Sequence, residues 1–152
     1  MHSGPEGLRH EFNARVSSKG LWETYLPAFE DCVVEAKVES VIGAYNRTNG
    51  EHCCRNILRG KWKFEGHVVS DCWAIWDFHT KHMVTSTAPE SAALALKAGC
   101  DVNCGNTYLH ILQALQENLI TEEDITRAAI WLLPGLNLEC LTNVNMIIFH
   151  TL

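Results

Sequence analysis

Residues 66–71 read Gly-His-Val-Val-Ser-Asp, and this stretch decides the fold. Its apolar, β-branched centre breaks into polar residues at the carboxyl end, which is typical of a strand that runs into a loop. The same pattern occurs upstream at 38–45 and, in a shorter form, downstream at 100–103. The sequence therefore predicts three strands, each of which ends in polar residues.

Amphipathic or capped segments separate these strands and predict helices. Ser17 and Ser18 can cap a first helix. Pro27 either bends this helix or marks the residue at which it starts. The run at 87–90, Thr-Ala-Pro-Glu, has the shape of a capping box and introduces a helix over 91–98. Further helical segments are predicted at 57–62, at 107–117 and from Thr121 onwards. Strands that alternate with helices indicate an α/β fold built of parallel βα units.

Length and charge exclude several classes of protein. The chain has 152 residues, whereas a complete eight-stranded β/α barrel takes about 250. Its 12 basic and 18 acidic residues give a net charge of −6, so it offers no counter-charge for nucleic acid or an anionic membrane surface. No apolar run approaches the ~20 residues that span a bilayer. We therefore expect one soluble domain's worth of chain, with neither nucleic acid nor a membrane as partner.

Seven cysteines and eight histidines raise the questions of disulfides and metals. The cysteine count is odd, and the N-terminus lacks the basic and apolar regions of a secretory signal, so we predict reduced thiols. A cytoplasmic location follows if Met1 is the true start, and the compartment stays open if Met1 is internal to a longer precursor. No Cys-x-x-Cys pair or His-Glu-x-x-His run occurs, so the sequence predicts neither a metal site nor another cofactor.

The strand ends are where we expect chemistry, because the loops at the carboxyl ends of parallel strands meet at one face. Asp71 directly follows the second strand, with Trp73 and Trp76 close behind it. Carboxylates beside indole rings are typical of sugar-binding sites. The alternative is that Asp71 only forms a turn or caps a helix. The other aromatic residues and nearby histidines are predicted as follows: Trp22, Trp62 and Trp131 in the core, His67 structural, and His79 and His82 on a solvated loop.

Three blocks of the sequence resemble glycoside hydrolase family 3. Residues 61–74 look like the nucleophile region of that family, whose pattern is Trp-Gly-Phe-x-Gly-x-Val-Val-Ser-Asp, with Lys63 where the pattern has glycine. Residues 41–50 are similar to the family's Val-Met-x-Ser-Tyr-Asn-x-x-Asn-Gly block, and residues 97–105 are similar to its next strand. The resemblance covers roughly residues 2–133 and leaves 134–152 as an unmatched tail.

The resemblance implies a fold and its extent. The first domain of the family is a (β/α) TIM-type barrel, and residues 1–133 match its C-terminal half, about the last three or four βα units. The chain is then a fragment of that barrel domain. The missing barrel half and the following C-terminal domain are implied as its partners.

The resemblance also implies an activity. Asp71 matches the nucleophile of a retaining β-glycosidase, Tyr45 matches a tyrosine that lines the same subsite, and Trp73 is a further candidate for substrate binding. Residues 12–17 and Cys72 lean toward the β-glucosidase and β-xylosidase branch, which implies a β-linked oligosaccharide or aryl glycoside as substrate. The acid/base carboxyl of the family comes from sequence after the barrel, and none is assigned in this chain. The alternatives are a catalytically inactive fragment and a non-catalytic carbohydrate-binding protein.

Overall fold

Parallel strands form the centre of the structure, a computed structural model that describes residues 6–50, 54–133 and 146–148. The strands are β1 (Asn13–Ala14), β2 (Ser40–Gly43), β3 (Arg47–Thr48), β4 (His67–Ser70) and β5 (Met146–Ile148). One sheet has the order β4, β2, β5, the other pairs β1 with β3, and every pairing is parallel. The predicted α/β class is confirmed, and β2 and β4 lie within the predicted strands.

Helices connect these strands and cover them. The α-helices are α1 (Ser18–Gly20), α2 (Pro27–Val34), α3 (Asp77–Thr80), α4 (Ala88–Lys97), α5 (Ile111–Gln116) and α6 (Glu122–Leu132). Short 3₁₀ segments occur at Glu6–Leu8 and Thr107–His110, and π-helical segments at Leu21–Tyr25 and Cys54–Lys61. The predicted first helix is thus divided. Pro27 is the first residue of α2, because its ring suits the φ angle of a first turn and its missing N–H is not needed there.

Side-chain caps fix where α4 and α6 begin. The Thr87 hydroxyl accepts a hydrogen bond from the Glu90 N–H, and the Glu90 carboxylate accepts one from the Thr87 N–H. Thr121 and Asp124 form the same reciprocal pair at α6. Each pair satisfies two backbone N–H groups that helix geometry leaves unbonded, so both predicted helix starts are confirmed.

The predicted third strand is wrong in extent. Within the described residues, the segment 100–103 contributes only a single bridge, from Val102 to Val69. The cause is the side chain of Asp101, whose carboxylate accepts the Val68 N–H at 2.8 Å, where a continued ladder would offer a backbone carbonyl oxygen. The pairing with β4 therefore begins only at Val102.

The core lies between the β2–β4 pair and the helical segments that precede each strand. Its largest cluster is buried and apolar and consists of Leu21, Leu26, Val33, Val38, Val41, Leu58, Trp62, Phe64 and Val68. Trp62 is in the core as predicted, whereas Trp22 packs against this cluster half-buried. Trp131 is also half-buried, with the Arg59 guanidinium 4.6 Å from its ring centroid. A second apolar cluster joins α4, α5 and α6.

Gly66 lets β2 and β4 start side by side. A Cβ atom built on Gly66 would lie 2.1 Å from the carbonyl oxygen of Glu39, the residue before β2. The His67 N–H donates to that same oxygen at 3.3 Å. Only glycine allows this close approach, so the glycine that opens the 66–71 stretch serves the strand pairing.

Arg59 connects the helical segment before β4 to the strand itself. Its guanidinium donates to the carbonyl oxygens of Phe64 and Gly66 at 2.9 and 2.6 Å and pairs with the Asp101 carboxylate at 2.5 Å. The Asp101 side chain is only 3% exposed. Burial raises the pKa of Asp101, while the Val68 N–H and the Arg59 charge oppose this rise. A carboxylate buried to this extent depends on its partners.

Replacing Arg59 with leucine leaves the Asp101 carboxylate buried without its charged partner. We expect Arg59→Leu to lower the free energy of unfolding by roughly 3 kcal/mol, as measured by urea denaturation. Lys19→Ala is the matched control, because it breaks an exposed ion pair with Glu23 and should leave the unfolding midpoint unchanged. Equal losses of stability in the two variants would contradict the role given to Arg59.

Lys63 has a backbone φ of 55°, in the left-handed region that favours glycine, and it stands where the family pattern has glycine. We expect Lys63→Gly to raise the free energy of unfolding by up to about 1 kcal/mol, since the strain it relieves exceeds the backbone entropy that glycine adds to the unfolded chain. Lys63→Ala removes the same charge but keeps the strained conformation. A thermal melt in which alanine stabilises as much as glycine would show that strain is not the cause.

Candidate active site

Asp71 lies at the carboxyl end of β4, where the sequence predicts a reactive side chain. Its N–H donates to the Gly43 carbonyl oxygen at 2.8 Å, which continues the pairing of β4 with β2. One carboxylate oxygen, Oδ1, accepts the Cys72 N–H at 2.9 Å. The Asp71 carbonyl oxygen accepts the Ala74 N–H at 3.1 Å and closes a turn. The half-buried carboxylate is therefore oriented by backbone contacts before any ligand binds.

Tyr45 follows β2 and meets Asp71 at the same edge of the sheet. Its hydroxyl donates to the Cys72 carbonyl oxygen at 2.5 Å. Burial raises the pKa of Tyr45, and the charge of Asp71 and a side-chain hydrogen bond to Asp71 raise it further, while the Arg9 charge lowers it. The hydroxyl thus faces two acceptors, a carbonyl oxygen and a carboxylate. The phenol stays protonated at neutral pH, and its one proton is donated to the Cys72 carbonyl oxygen beside the Asp71 carboxylate.

Trp73 presents an exposed indole two residues after Asp71, with 52% of its surface accessible. Its backbone φ is 68°, a left-handed conformation that a bulky residue rarely adopts. The Trp73 N–H donates to the Cys104 carbonyl oxygen at 2.7 Å. Gly105 lies next to it in the neighbouring loop, where an added Cβ would be in ordinary contact, 3.5 Å from the Trp73 nitrogen. Contacts from the neighbouring loop therefore maintain the strained conformation, as is common at functional sites.

A disulfide joins Cys72 to Cys104 and corrects the prediction of reduced thiols. The two Cα atoms lie 4.4 Å apart, although 32 residues separate the cysteines in the sequence. An odd number of cysteines does not exclude one pair, since pairing depends on which strand ends are neighbours in space. Cys32 and Cys100 take no part in a disulfide. The bridge covalently ties the loop that carries Asp71 to the loop after the Val102 bridge.

Polar side chains add hydrogen bonds between the same two loops. The Ser70 hydroxyl oxygen accepts the Cys104 N–H at 3.0 Å and the Asn103 side-chain amide at 3.2 Å. The Asn103 side-chain oxygen in turn accepts the Tyr108 N–H at 3.1 Å. The structure thus brings the polar ends of all three predicted strands to one edge, although the third segment is not a full strand.

The histidines near this edge are more buried than predicted. His79 is half-buried on α3, and its Nδ1 lies 2.8 Å from the Ser91 hydroxyl. His82 is 8% exposed, and its Nε2–H donates to the Tyr45 carbonyl oxygen at 2.9 Å. Burial lowers the pKa of His82, so its ring is neutral at pH 7. The prediction of a solvated loop is therefore wrong, because the contact of His82 with Tyr45 is invisible in the local sequence.

Sequence reasoning missed two residues of this site, His10 and Asp77. Nδ1 of His10 lies 2.5 Å from Oδ2 of Asp77, and the His10 ring centroid is 4.3 Å from that of Tyr45. No local pattern marks either residue, because the pair joins positions 67 residues apart. The nearest signal is that His10 precedes the block at 12–17, which resembles the family.

The groups that meet at this edge are a carboxylate, a phenol and an exposed indole. A carboxylate can act as a nucleophile at a sugar carbon, and an indole offers an apolar face to a sugar ring. In the ranges that the structure describes, no group of three or more His, Cys, Asp and Glu side chains is arranged to hold a metal ion. None of the helices in those ranges combines the length and apolar character that crossing a bilayer requires.

Similar sequences carry the same segment. Residues 3–132 match the profile of the glycosyl hydrolase family 3 N terminal domain. The chain is 41% identical over 144 residues to a xylan 1,4-beta-xylosidase of Xylanibacter ruminicola, a match that covers 89% of this chain and 17% of that protein. It is also 41% identical over 128 residues to beta-D-xylosidase 1 of Arabidopsis thaliana, covering 79% of this chain and 16% of that protein.

Solved structures share the fold. A GH3 exo-beta-xylosidase (XlnD) in complex with a xylobiose aziridine activity-based probe gives a TM-score of 0.80 at 31% identity, over 84% of this chain and 18% of that one. A beta-glucosidase from Listeria innocua gives a TM-score of 0.76 at 24% identity over 91% of this chain and 20% of that one, a likeness of fold alone. The chain spans about a sixth of the length of the two curated relatives. Since the matched domain covers most of its residues, the chain belongs to glycosyl hydrolase family 3.

Proposed function

We propose that this chain carries the nucleophile of a retaining β-glycosidase and that Asp71 is that nucleophile. The observation that supports this most is the position of the Asp71 carboxylate, oriented at the carboxyl end of β4 beside the protonated hydroxyl of Tyr45. Reactive residues of β/α barrels lie at this end of the strands. The place of Asp71 in the segment that matches the family agrees with this role.

The proposed reaction has two steps. An oxygen of Asp71 attacks the anomeric carbon, the bond to the leaving-group oxygen breaks as the family's acid/base carboxyl gives that oxygen a proton, and a covalent glycosyl-enzyme forms. Water then gives a proton to the same acid/base group and attacks the anomeric carbon, and Asp71 departs as a carboxylate. The Cys72 N–H keeps the carboxylate oriented by donating a hydrogen bond to Oδ1, and the Tyr45 hydroxyl lies beside the carboxylate as a second polar neighbour.

We propose a β-linked xyloside as the substrate, with a β-linked glucoside as the alternative. The two relatives that are 41% identical to this chain are named β-xylosidases. The exposed indole of Trp73 offers an apolar face on which a pyranose ring can stack. Either an oligosaccharide or an aryl glycoside places such a ring next to Asp71.

Turnover, in this proposal, draws on groups outside the chain. We propose that residues 1–133 form the C-terminal half of a (β/α) TIM-type barrel, about its last three or four βα units, within a larger enzyme. In the family, a Lys-His sugar-binding pair precedes this segment, and the acid/base carboxyl follows the barrel. The missing barrel half and the C-terminal domain are therefore the proposed partners for complete catalysis.

Covalent trapping tests the nucleophile assignment. The chain is incubated with a dinitrophenyl 2-fluoro-β-xyloside, whose leaving group departs without protonation, and the label is located by peptide mass spectrometry. We expect one fluoroxylosyl group on Asp71 and none in the Asp71→Asn variant. Asp31→Asn, which alters an exposed carboxylate on α2, is the matched control and should be labelled like the parent chain.

Label on a residue other than Asp71 would contradict the assignment. A folded chain that takes up no label, with folding judged by circular dichroism, would favour the alternative of a catalytically inactive fragment. If that unlabelled chain still binds xylo-oligosaccharide, the non-catalytic carbohydrate-binding protein is the better description.

A further inference from the structure

Tyr45 is held at three separate points. Its hydroxyl donates to the Cys72 carbonyl oxygen at 2.5 Å, its ring centroid lies 4.3 Å from that of His10, and its carbonyl oxygen accepts the His82 Nε2–H at 2.9 Å. All three partners are distant from Tyr45 in the sequence. The side chain therefore keeps its place through tertiary contacts and not through local structure.

The two histidine contacts both lead to Asp77, the first residue of α3. The Asp77 carboxylate pairs with Nδ1 of His10 at 2.5 Å, and the Asp77 carbonyl oxygen accepts the His82 N–H at 2.8 Å. The Asp77 N–H donates to the Trp73 carbonyl oxygen at 3.3 Å, within the loop that follows the nucleophile. One residue, only 5% exposed, thus links that loop to both groups that hold Tyr45.

A simple tether between the two segments would not need this buried carboxylate. Glu11 and Lys81 already join the same segments through a partly exposed ion pair at 3.5 Å. The pair of His10 and Asp77 differs, because its carboxylate is buried and its histidine contacts Tyr45. Burying a carboxylate carries a desolvation penalty, which the partly exposed pair of Glu11 and Lys81 largely avoids.

We propose that Asp77 is a positioning residue of the glycosidase site, whose carboxylate holds Tyr45 against the nucleophile loop through His10, while its backbone carbonyl oxygen holds the His82 backbone N–H. The inference rests on the proposed function, since the place of Tyr45 matters through its interaction with the Asp71 carboxylate. Asp77 acts through Tyr45 and not on the reacting atoms. Without Asp77, the phenol and the Asp71 carboxylate lie less closely together and interact less.

The titration of Tyr45 reports this interaction. The titratable and charged groups that face Tyr45 are Arg9 and His10 from the N-terminal segment, Asp71 from the loop after β4, and Asp77 and His82 from α3 and the residues after it. Apart from burial, the Asp71 charge is the largest influence that raises the pKa of Tyr45. Asp71→Asn should therefore lower the Tyr45 midpoint, and the size of that drop measures how closely the two side chains are held.

The test is a double-mutant cycle read by ¹³C NMR of chain labelled at the tyrosine Cζ carbon. The chain has three tyrosines, and Tyr45→Phe assigns the signal. The drop in the Tyr45 midpoint caused by Asp71→Asn is measured in the parent chain and in the Asp77→Asn and His10→Leu backgrounds. Glu11→Gln is the matched control, because it removes the ion pair of Glu11 with Lys81, which joins the same segments.

We expect the drop to shrink about twofold or more with Asp77→Asn and with His10→Leu, and to stay unchanged with Glu11→Gln. If Asp71→Asn lowers the Tyr45 midpoint as much in both backgrounds as in the parent chain, the proposal is overturned. In that case Asp77 affects the Tyr45 pKa only through its own charge, which shifts the midpoint but does not change the effect of Asp71. If Asp77→Asn fails to fold, the substitution of the partly exposed His10 decides alone.

Covalent trapping separates this inference from the proposed function. In the Asp77→Asn variant, we expect the rate of Asp71 labelling by the fluoroxyloside to fall about tenfold, because a misplaced partner weakens the orientation of the nucleophile. An unchanged rate would overturn the positioning role. If the parent chain is not labelled at all, the proposed function fails, while the NMR cycle still decides whether Asp77 positions Tyr45.

Discussion

The parallel pairing of β2 with β4 is the constraint on which the site depends. The two strands run in the same direction and end together, with Gly43 opposite Ser70. Tyr45 and Asp71 consequently emerge at one edge of the sheet, although they are 26 positions apart in the sequence. A shift of the register by one residue would turn the Asp71 side chain to the other face. The buried valine side chains of both strands oppose such a shift, because it would expose them to water.

Contacts between neighbouring loops then complete the site. The disulfide, the bond from the Trp73 N–H to Cys104 and the bonds to the Ser70 hydroxyl all join the loop after β4 to the loop after the Val102 bridge. A nucleophile whose orientation is fixed before substrate binds loses less conformational freedom during the reaction. The left-handed conformation of Trp73 fits this picture, since these contacts outweigh its local preference.

Local sequence patterns predict the parts of the structure that short stretches determine. Asp71 and Tyr45 are found because each follows an apolar run, and the starts of α4 and α6 are found because caps act within one helical turn. The disulfide, the contact between His10 and Asp77 and the histidine bond to Tyr45 join residues 32, 67 and 37 positions apart, so no local pattern marks them. The third strand is shorter than predicted because the Asp101 carboxylate accepts the Val68 N–H, which would otherwise bond to a backbone carbonyl oxygen in the sheet. The apolar residues on either side of Asp101 give no sign of this contact.

Amide hydrogen exchange at Asp71 and Trp73 tests most directly whether strand pairing, and not the disulfide, fixes the position of Asp71, the proposed nucleophile. The two amides donate to the carbonyl oxygens of Gly43 and Cys104 at 2.8 and 2.7 Å. We predict slow exchange at both in the intact chain. When Cys72 and Cys104 are both replaced by serine, exchange at Trp73 should accelerate about tenfold or more while Asp71 stays protected. Rapid exchange at Asp71 in the intact chain, with the amides of β4 itself still protected, would contradict the claim.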